Sequence, residues 1–178
     1  MKIHGNRFNI YLLAMLIAAG AGGCQSSGER NSKKLVSTLR LHLEVNRDGT
    51  KANETVPVYR ETPIMVNVEM QPFLSEADVA HAEVIDVVGG FALRLQFNQT
   101  GTSTFEQYTV ENHGKRIAIF TQFGEKIEEQ RWLAAPLITR RVSDGVLTFT
   151  PDATREESEE IAVGLNNVAK KLTTWVDR

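Results

Sequence analysis

The chain has 178 residues, 42% of them hydrophobic, and sets 20 Lys and Arg against 22 Asp and Glu for a formal net charge of −2. That balance excludes the basic footprint of a nucleic-acid binder. Its single cysteine excludes an intrachain disulfide framework and any metal site built on paired cysteines, and its length suits one core-bearing domain rather than two.

Residues 1–23 read as a secretory signal. Lys2 and Arg7 precede a largely apolar stretch from Phe8 to Ala19, with Asn9 as its one polar interruption, and small residues from Gly20 to Gly23 lead to Cys24. The stretch is shorter than the about 20 apolar residues that cross a hydrocarbon core, which favours a cleaved leader over a retained helix. Ala21-Gly22-Gly23-Cys24 resembles a bacterial lipobox, although Ala21 stands where such motifs carry Leu or another aliphatic residue. The resemblance implies cleavage between Gly23 and Cys24, acylation of Cys24 and attachment to a lipid bilayer. It places the chain in the bacterial envelope facing the periplasm, and Gln25 in place of Asp after the cysteine favours the outer membrane in a host that has two. Removing the leader leaves 18 Lys and Arg against 22 Asp and Glu, a formal net of −4. Residues 24–34, with the polar run QSSGERNSKK, have no apolar face and form a tether that reaches at most roughly 35 Å. Residues 35–178 form the single domain.

Pattern begins abruptly after the tether. Leu39, Leu41, Leu43 and Val45 alternate with Arg40, His42 and Glu44, the period-2 signature of a strand with one buried face. Asp48-Gly49 marks a turn, and Val56 to Tyr59 and Ile64 to Val68 are extended, with Pro57 and Pro63 predicting an irregular or edge position. Ser75-Glu-Ala-Asp78 predicts the start of a short helix ending near Ala82. After a bend at Gly89-Gly90, Phe91, Leu93, Leu95 and Phe97 alternate as a strand. Ser103-Thr-Phe-Glu106 has capping-box spacing, and Phe105, Tyr108, Thr109 and Asn112 share a helical face that stops at Gly114. Arg116 to Thr121 predicts a strand that turns at Phe123-Gly124 into a partner around Lys126 to Gln130. Asp144-Gly145 leads into the strand Val146 to Thr150. Thr154-Arg-Glu-Glu157 is a second capping box, and Ile161, Leu165, Val168, Ala169, Leu172, Trp175 and Val176 repeat at helical spacing.

The chemistry in this pattern is sparse. There is no Gly-rich phosphate loop, nucleophile elbow or His-Glu-x-x-His helix. Glu156, Glu157, Glu159 and Glu160 read as solvent-facing acids at the positive end of a helix dipole, with Lys170 and Lys171 towards the negative end. His42 on a strand, His81 on the short helix and His113 beside a glycine read as surface or capping residues, so no metal ligand and no cofactor is expected. The segment from Lys126 to Arg141 combines Trp132, Leu133 and Pro136 with Arg131, Arg140 and Arg141, the residue types of binding hot spots, and reads as a recognition loop on a rigid sheet. The competing expectation is that Trp132 folds back over the core.

The segment Phe91 to Asn167, beginning FALRLQFNQTGTSTFEQYTVENHGKRIAIF, resembles the head portion of the first large periplasmic domain of SecD-type protein-translocase subunits. The resemblance rests on Phe97, Gly101, Phe105, Thr109, Asn112, Gly114, Lys115, Ala118 and Ile119, then on Gly124, Ala135-Pro136, Ile138 and the acid-rich helix from Glu156 to Leu165. Upstream, PFLSEADVAHAEV is similar to the segment that enters that domain. Phe123 stands where the family has an Asp before the hairpin glycine, EKIEEQRWLA lengthens the hairpin, and the glycine-rich turn before the last strand is reduced to Asp144-Gly145. Translocase subunits continue into a membrane helix bundle, whereas this sequence stops at Arg178, so the resemblance implies a head without that machinery.

Strands joined by hairpins with two substantial helices predict an α+β fold, with a ferredoxin-like sandwich of mainly antiparallel sheet and helices packed on one face as the first choice. The function expected is that of a lipid-anchored, non-catalytic binding or adaptor module for an envelope protein or an unfolded, extended polypeptide, with a link to protein export implied by the resemblance. The alternative is an anchored envelope enzyme whose groups converge only in space. A deep pocket with converging polar groups would favour the enzyme, and a shallow apolar surface or sheet edge the binding module.

Overall fold

A computed structural model describes residues 32, 34–47, 49, 51–124 and 126–176, with side chains as far as Thr174. The expected signal peptide, Cys24 and most of the tether lie outside these residues. The described chain is α+β, with nine strands that pair antiparallel throughout and two long helices.

The strands distribute over three sheets. The largest has the order β4-β1-β7-β8, formed by β1 (Thr38–Leu43), β4 (Leu74–Ser75), β7 (Ile117–Phe123) and β8 (Glu129–Ala134). A two-stranded hairpin pairs β2 (Asn53–Val58) with β3 (Ile64–Glu69), and a three-stranded sheet runs β5-β6-β9, from β5 (Val79–Val87), β6 (Gly90–Phe97) and β9 (Val146–Phe149). Helix α1 (Gln99–Glu111) follows β6, and α2 (Arg155–Val176) closes the fold.

The alternation read in the sequence sets which faces are buried. Leu39, Leu41 and Leu43 of β1 join Ile117, Ile119 and Phe123 of β7, Leu93, Leu95 and Phe97 of β6, Phe105 of α1, and Ile161 and Leu165 of α2 in one core. A smaller cluster lies on the opposite face of the four-stranded sheet, where Val56, Val58, Val66 and Val68 of the β2–β3 hairpin cover Ala118 and Ala135 with Trp132 alongside. The expectation of an edge for β2 and β3 holds, since each has one strand neighbour in its sheet. They are nevertheless regular, with six consecutive pairs from Asn53↔Glu69 to Val58↔Ile64.

Several local expectations are corrected. Ser75 does form a capping box, its side chain accepting from Ala77 N while Asp78 accepts from Ser75 N, but the box opens only a 3-10 turn at Glu76–Asp78. The next nine residues form β5, so His81 lies on a strand. A β-hairpin wins over the predicted helix because Gly89, at φ 90°, supplies the left-handed turn that pairs Val79–Val87 with β6. Helix α1 is capped by Asn98, whose Oδ1 accepts from Gly101 N at 2.9 Å, five residues before the predicted box at Ser103. Strand β8 begins three residues later than predicted, which moves Arg131, Trp132 and Leu133 from a loop into the sheet. At α2 the expected capping box is present: Glu157 N donates to Thr154 Oγ1 at 3.1 Å, and Thr154 N to Glu157 Oε2 at 2.8 Å.

Gly164 brings α2 against the start of β1. A Cβ there would stand 2.2 Å from Ser37 Oγ, so only glycine permits the approach. The neighbouring Asn167 donates from Nδ2 to the carbonyls of Ser32 and Leu35, at 2.8 and 3.0 Å, tying the entry of the chain to the same helix.

Candidate functional site

Two surfaces carry the residues that could meet a partner. The first is the region singled out in the sequence. Arg131 directs its guanidinium at Glu157, with Nη1 at 2.8 Å from Oε2 and Nη2 at 3.1 Å from Oε1, and also reaches Glu129 Oε2 and the carbonyl of Asp152, both at 3.2 Å. Its side chain is 12% exposed and lies over the ring of Phe123. The Arg131 guanidinium holds the Glu157 carboxyl below the usual carboxylate range, and Glu157 in turn raises Arg131. Glu157 therefore departs from the expected solvent-facing row of acids: it fastens the first turn of α2 to β8.

Trp132 is half-buried, edge-on to His42 at 5.3 Å between ring centroids and tilted against Phe120 at 5.1 Å. Leu133 is completely buried, because a register shift between Ile119 and Phe120 places it as the extra residue of β8 and turns it into the main core. Arg140 and Arg141 are exposed on the segment that follows, with Arg141 paired to Glu106 of α1. The structure thus separates the five residues: Arg131 clamps a helix, Trp132 and Leu133 pack, and Arg140 and Arg141 stand on the surface.

His42 also departs from expectation. It is 6% exposed, with Nδ1 at 2.8 Å from the carbonyl oxygen of Glu69 at the end of β3, and burial lowers its pKa below the ordinary value. The strand pattern hid this because the second half of β1 is covered on both faces, by the main core and by the hairpin. His113 is on the surface with Nε2 at 2.9 Å from the carbonyl of Thr139. Among the described residues no group of three His, Cys, Asp or Glu side chains could hold a metal ion.

The second surface was not marked in the sequence. The apolar stripe of α2 is buried at Ile161 and Leu165, half-buried at Val168 and Ala169, and 41% exposed at Leu172, so the helix outruns the core. Beneath its overhanging half lies an open groove of about 900 Å³, floored by Ala77, Val79 and Ala80 and walled by Ala169, Leu172 and Thr173. Asn166 sits at the point where helix and sheet part company. Its Oδ1 accepts from Ala82 N at 2.9 Å and its Nδ2 donates to Ala82 O at 2.8 Å, so its amide occupies the edge of β5 as a strand residue would. The signal available in the sequence was Asn166-Asn167, two poor helix formers in the middle of an otherwise regular helical pattern.

The groove is open to solvent and its lining is predominantly apolar. Alanine, valine and leucine contribute its apolar surface, while the polar side chains at its rim are bonded to the domain's own backbone: Asn98 to Ala77 O and Gly101 N, Asn166 to Ala82, Thr173 to Ala169 O and Thr174 to Lys171 O. No pair of acid and base side chains converges there. Among the described residues no helix is long and apolar enough to cross a membrane.

Residues 53–169 match the family model of the SecDF P1 head subdomain. Over 161 residues the chain is 26% identical to the protein translocase subunit SecDF of Thermus thermophilus, covering 82% of this chain and 21% of that protein. It therefore spans about a fifth of the length of that curated relative. A solved structure of SecDF, described as a membrane component that enhances protein export, is similar with a TM-score of 0.54 at 23% identity, over 83% of this chain and 70% of that one. SecDF in a super-membrane-facing form gives a TM-score of 0.54 at 22% identity, over 82% of this chain and 21% of that one. This structural likeness carries the fold.

Proposed function

The chain belongs to the SecDF P1 head family, and from that premise we propose that it is a non-catalytic envelope module that holds an extended polypeptide or a partner protein in the groove between β5 and α2, in a role linked to protein export. The observation that carries the reading is the overhang of α2: an apolar helix face continues past the core and roofs an open groove instead of ending where its packing ends. An open groove with an apolar floor suits extended segments, whose apolar side chains can bury against it. The relative's printed role in protein translocation agrees with such a ligand.

Anchoring belongs to the same proposal. Acylation of Cys24 would attach the domain to a bilayer, with the outer membrane favoured, and the short tether would keep the groove near the membrane surface. Acylated wild type is expected to partition into detergent, and a Cys24→Ser chain to remain a larger, unprocessed precursor. Equal processing and partitioning of both chains would remove the anchor from the proposal.

The groove is tested by binding of a permanently unfolded model protein, reduced and alkylated, to wild type, Leu172→Asp and Ala80→Trp. Both altered residues are exposed, so the melting temperatures of the three proteins should agree. A loss of affinity of about tenfold in each variant is expected from placing a charge or a bulky ring in the groove. Unchanged binding, or none by wild type, would overturn the reading.

A further inference from the structure

The two ends of the β2–β3 hairpin are fastened in different ways. At the base, β3 continues the backbone pairing of β1: Val45 N donates to Asn67 O at 2.9 Å and Glu44 forms an antiparallel bridge with Val68, while His42 Nδ1 lies 2.8 Å from Glu69 O. At the tip the hold passes through side chains. Asp152, in the segment between β9 and α2, accepts from Arg60 N and Arg60 Nε through Oδ2 at 2.8 and 3.2 Å, and Tyr59 Oη accepts from Ala135 N at 3.4 Å. Between the two ends there is only apolar contact, four valines on Ala118, Ala135 and Trp132. Tyr59 itself has φ 70°, a left-handed conformation that a bulky residue adopts only where its surroundings hold it there. The far side of the latch is firm. Asp152 N donates to Leu133 O at 2.7 Å, and its carbonyl accepts at 3.2 Å from Arg131, the residue paired with Glu157 of α2.

We infer that the β2–β3 hairpin is a lid, hinged at its base on β1 and latched at its tip by Asp152, which opens independently of the main core and uncovers the apolar shelf of Ala118, Ala135 and Trp132. The asymmetry of the fastenings is the physical basis. Backbone pairing at the base is lost only if the end of β1 comes apart, whereas Arg60 is exposed and exchanges its carboxylate partner for water at small cost. Opening at the tip also lets Tyr59 leave its left-handed conformation, so the strain stored there favours release. Asp152 stays where it is when the tip departs, because β8 and Arg131 hold its backbone and both described hydrogen bonds of its carboxylate go to Arg60. The lid can therefore close again on the same latch.

The experiment is native-state hydrogen exchange on the full chain, comparing wild type with Asp152→Ala and Arg60→Ala. A two-stranded hairpin lifted from its support is marginal on its own, so each opening exposes its amides to exchange. Asp152→Ala removes the whole latch and should speed the amides of β2 and β3 near the tip about tenfold. Arg60→Ala leaves the Arg60 backbone bond to Asp152 in place and should speed them about threefold. In both variants the amides of β6 and β7, and that of Val45 at the hinge, should keep the rates of wild type, with no change in melting temperature. Trp132 reports the same event: with Trp175→Phe as a common background it is the one tryptophan in the chain, and acrylamide should quench it more strongly in Asp152→Ala. Exchange of the Val45 amide in step with the tip would show that the hairpin detaches as a whole, and would overturn the hinge. Unchanged rates in both variants, or a lower melting temperature in both, would overturn the latch.

Discussion

The two faces of the four-stranded sheet hold the molecule together in different ways. On one face Leu39, Leu41, Ile119 and Phe123 meet Leu95, Phe105, Ile161 and Leu165, long side chains supplied by two sheets and both helices. On the other, the valines of one hairpin cover two alanines, a half-buried tryptophan and a buried histidine. His42 is the only ionisable side chain among the buried residues described. The first face binds the whole domain into one unit, whereas the second attaches a small flap of two strands. Damage should therefore spread globally from the first and stay local in the second.

The strongest way to break this comparison is Leu165→Asp. Leu165 is completely buried where α2 crosses the main core, and a charge there has no partner and several kcal/mol of desolvation against it. Loss of the cooperative melt followed by circular dichroism is the expected outcome; a transition close to that of wild type would refute the placement of the core. Gly164→Val, one residue earlier, should also destabilise the domain, by driving a side chain into Ser37.

A matched pair of truncations sharpens the contrast. Leu95→Ala in the main core is expected to lower global stability by about 2–5 kcal/mol. Val66→Ala in the flap removes less volume from a smaller cluster and should cost about 1–2 kcal/mol. In native-state hydrogen exchange, Val66→Ala should accelerate amides of β2 and β3 while those of β6 and β7 stay protected. Acceleration of all four strands together would show that the flap is an integral part of the main cooperative unit.

The same contrast explains what could be read from the sequence. Period-2 alternation in Leu39–Leu43 and Phe91–Phe97, and the helical stripe through Ile161 and Leu165, marked the main core because its side chains are long, apolar and regularly spaced. The covered outer face was hidden, since His42 and Ala118 do not announce burial and Pro57 disguised a regular hairpin. The capping box at Ser75 was real, yet capping is a local signal, and the pairing of β5 with β6 overrode the helix it suggested. Trp132 was noticed for its type, but a shift of three residues in the start of β8 turned a loop into a packed strand. The groove escaped because its defining fact is where α2 stops being buried, and Leu172 in the sequence looks the same as Leu165.

The smallest expected effect is the most specific to the flap. Burial lowers the pKa of His42 below its usual value of 6.5, outweighing the bond to the Glu69 carbonyl and the nearby Glu69 carboxylate, which act in the other direction, while Arg40 on the same strand lowers it further. Glu44 Oε2 accepts from the backbone of Arg116, whose guanidinium donates to Ala135 O, so neither is free to follow the ring. Between the lowered folded value and the unfolded one, the unfolded or opened chain binds more protons. The stability associated with a neutral, buried His42 is thus complete above the unfolded value and is lost as the pH falls through the folded one. Urea denaturation of wild type should give a lower midpoint at about pH 5 than at about pH 8, with part of the difference due to this residue. His42→Asn keeps an N–H donor for Glu69 O but cannot titrate, so its midpoint should fall less over the same interval. If the two proteins lost equal stability on acidification, His42 would have no part in the pH dependence.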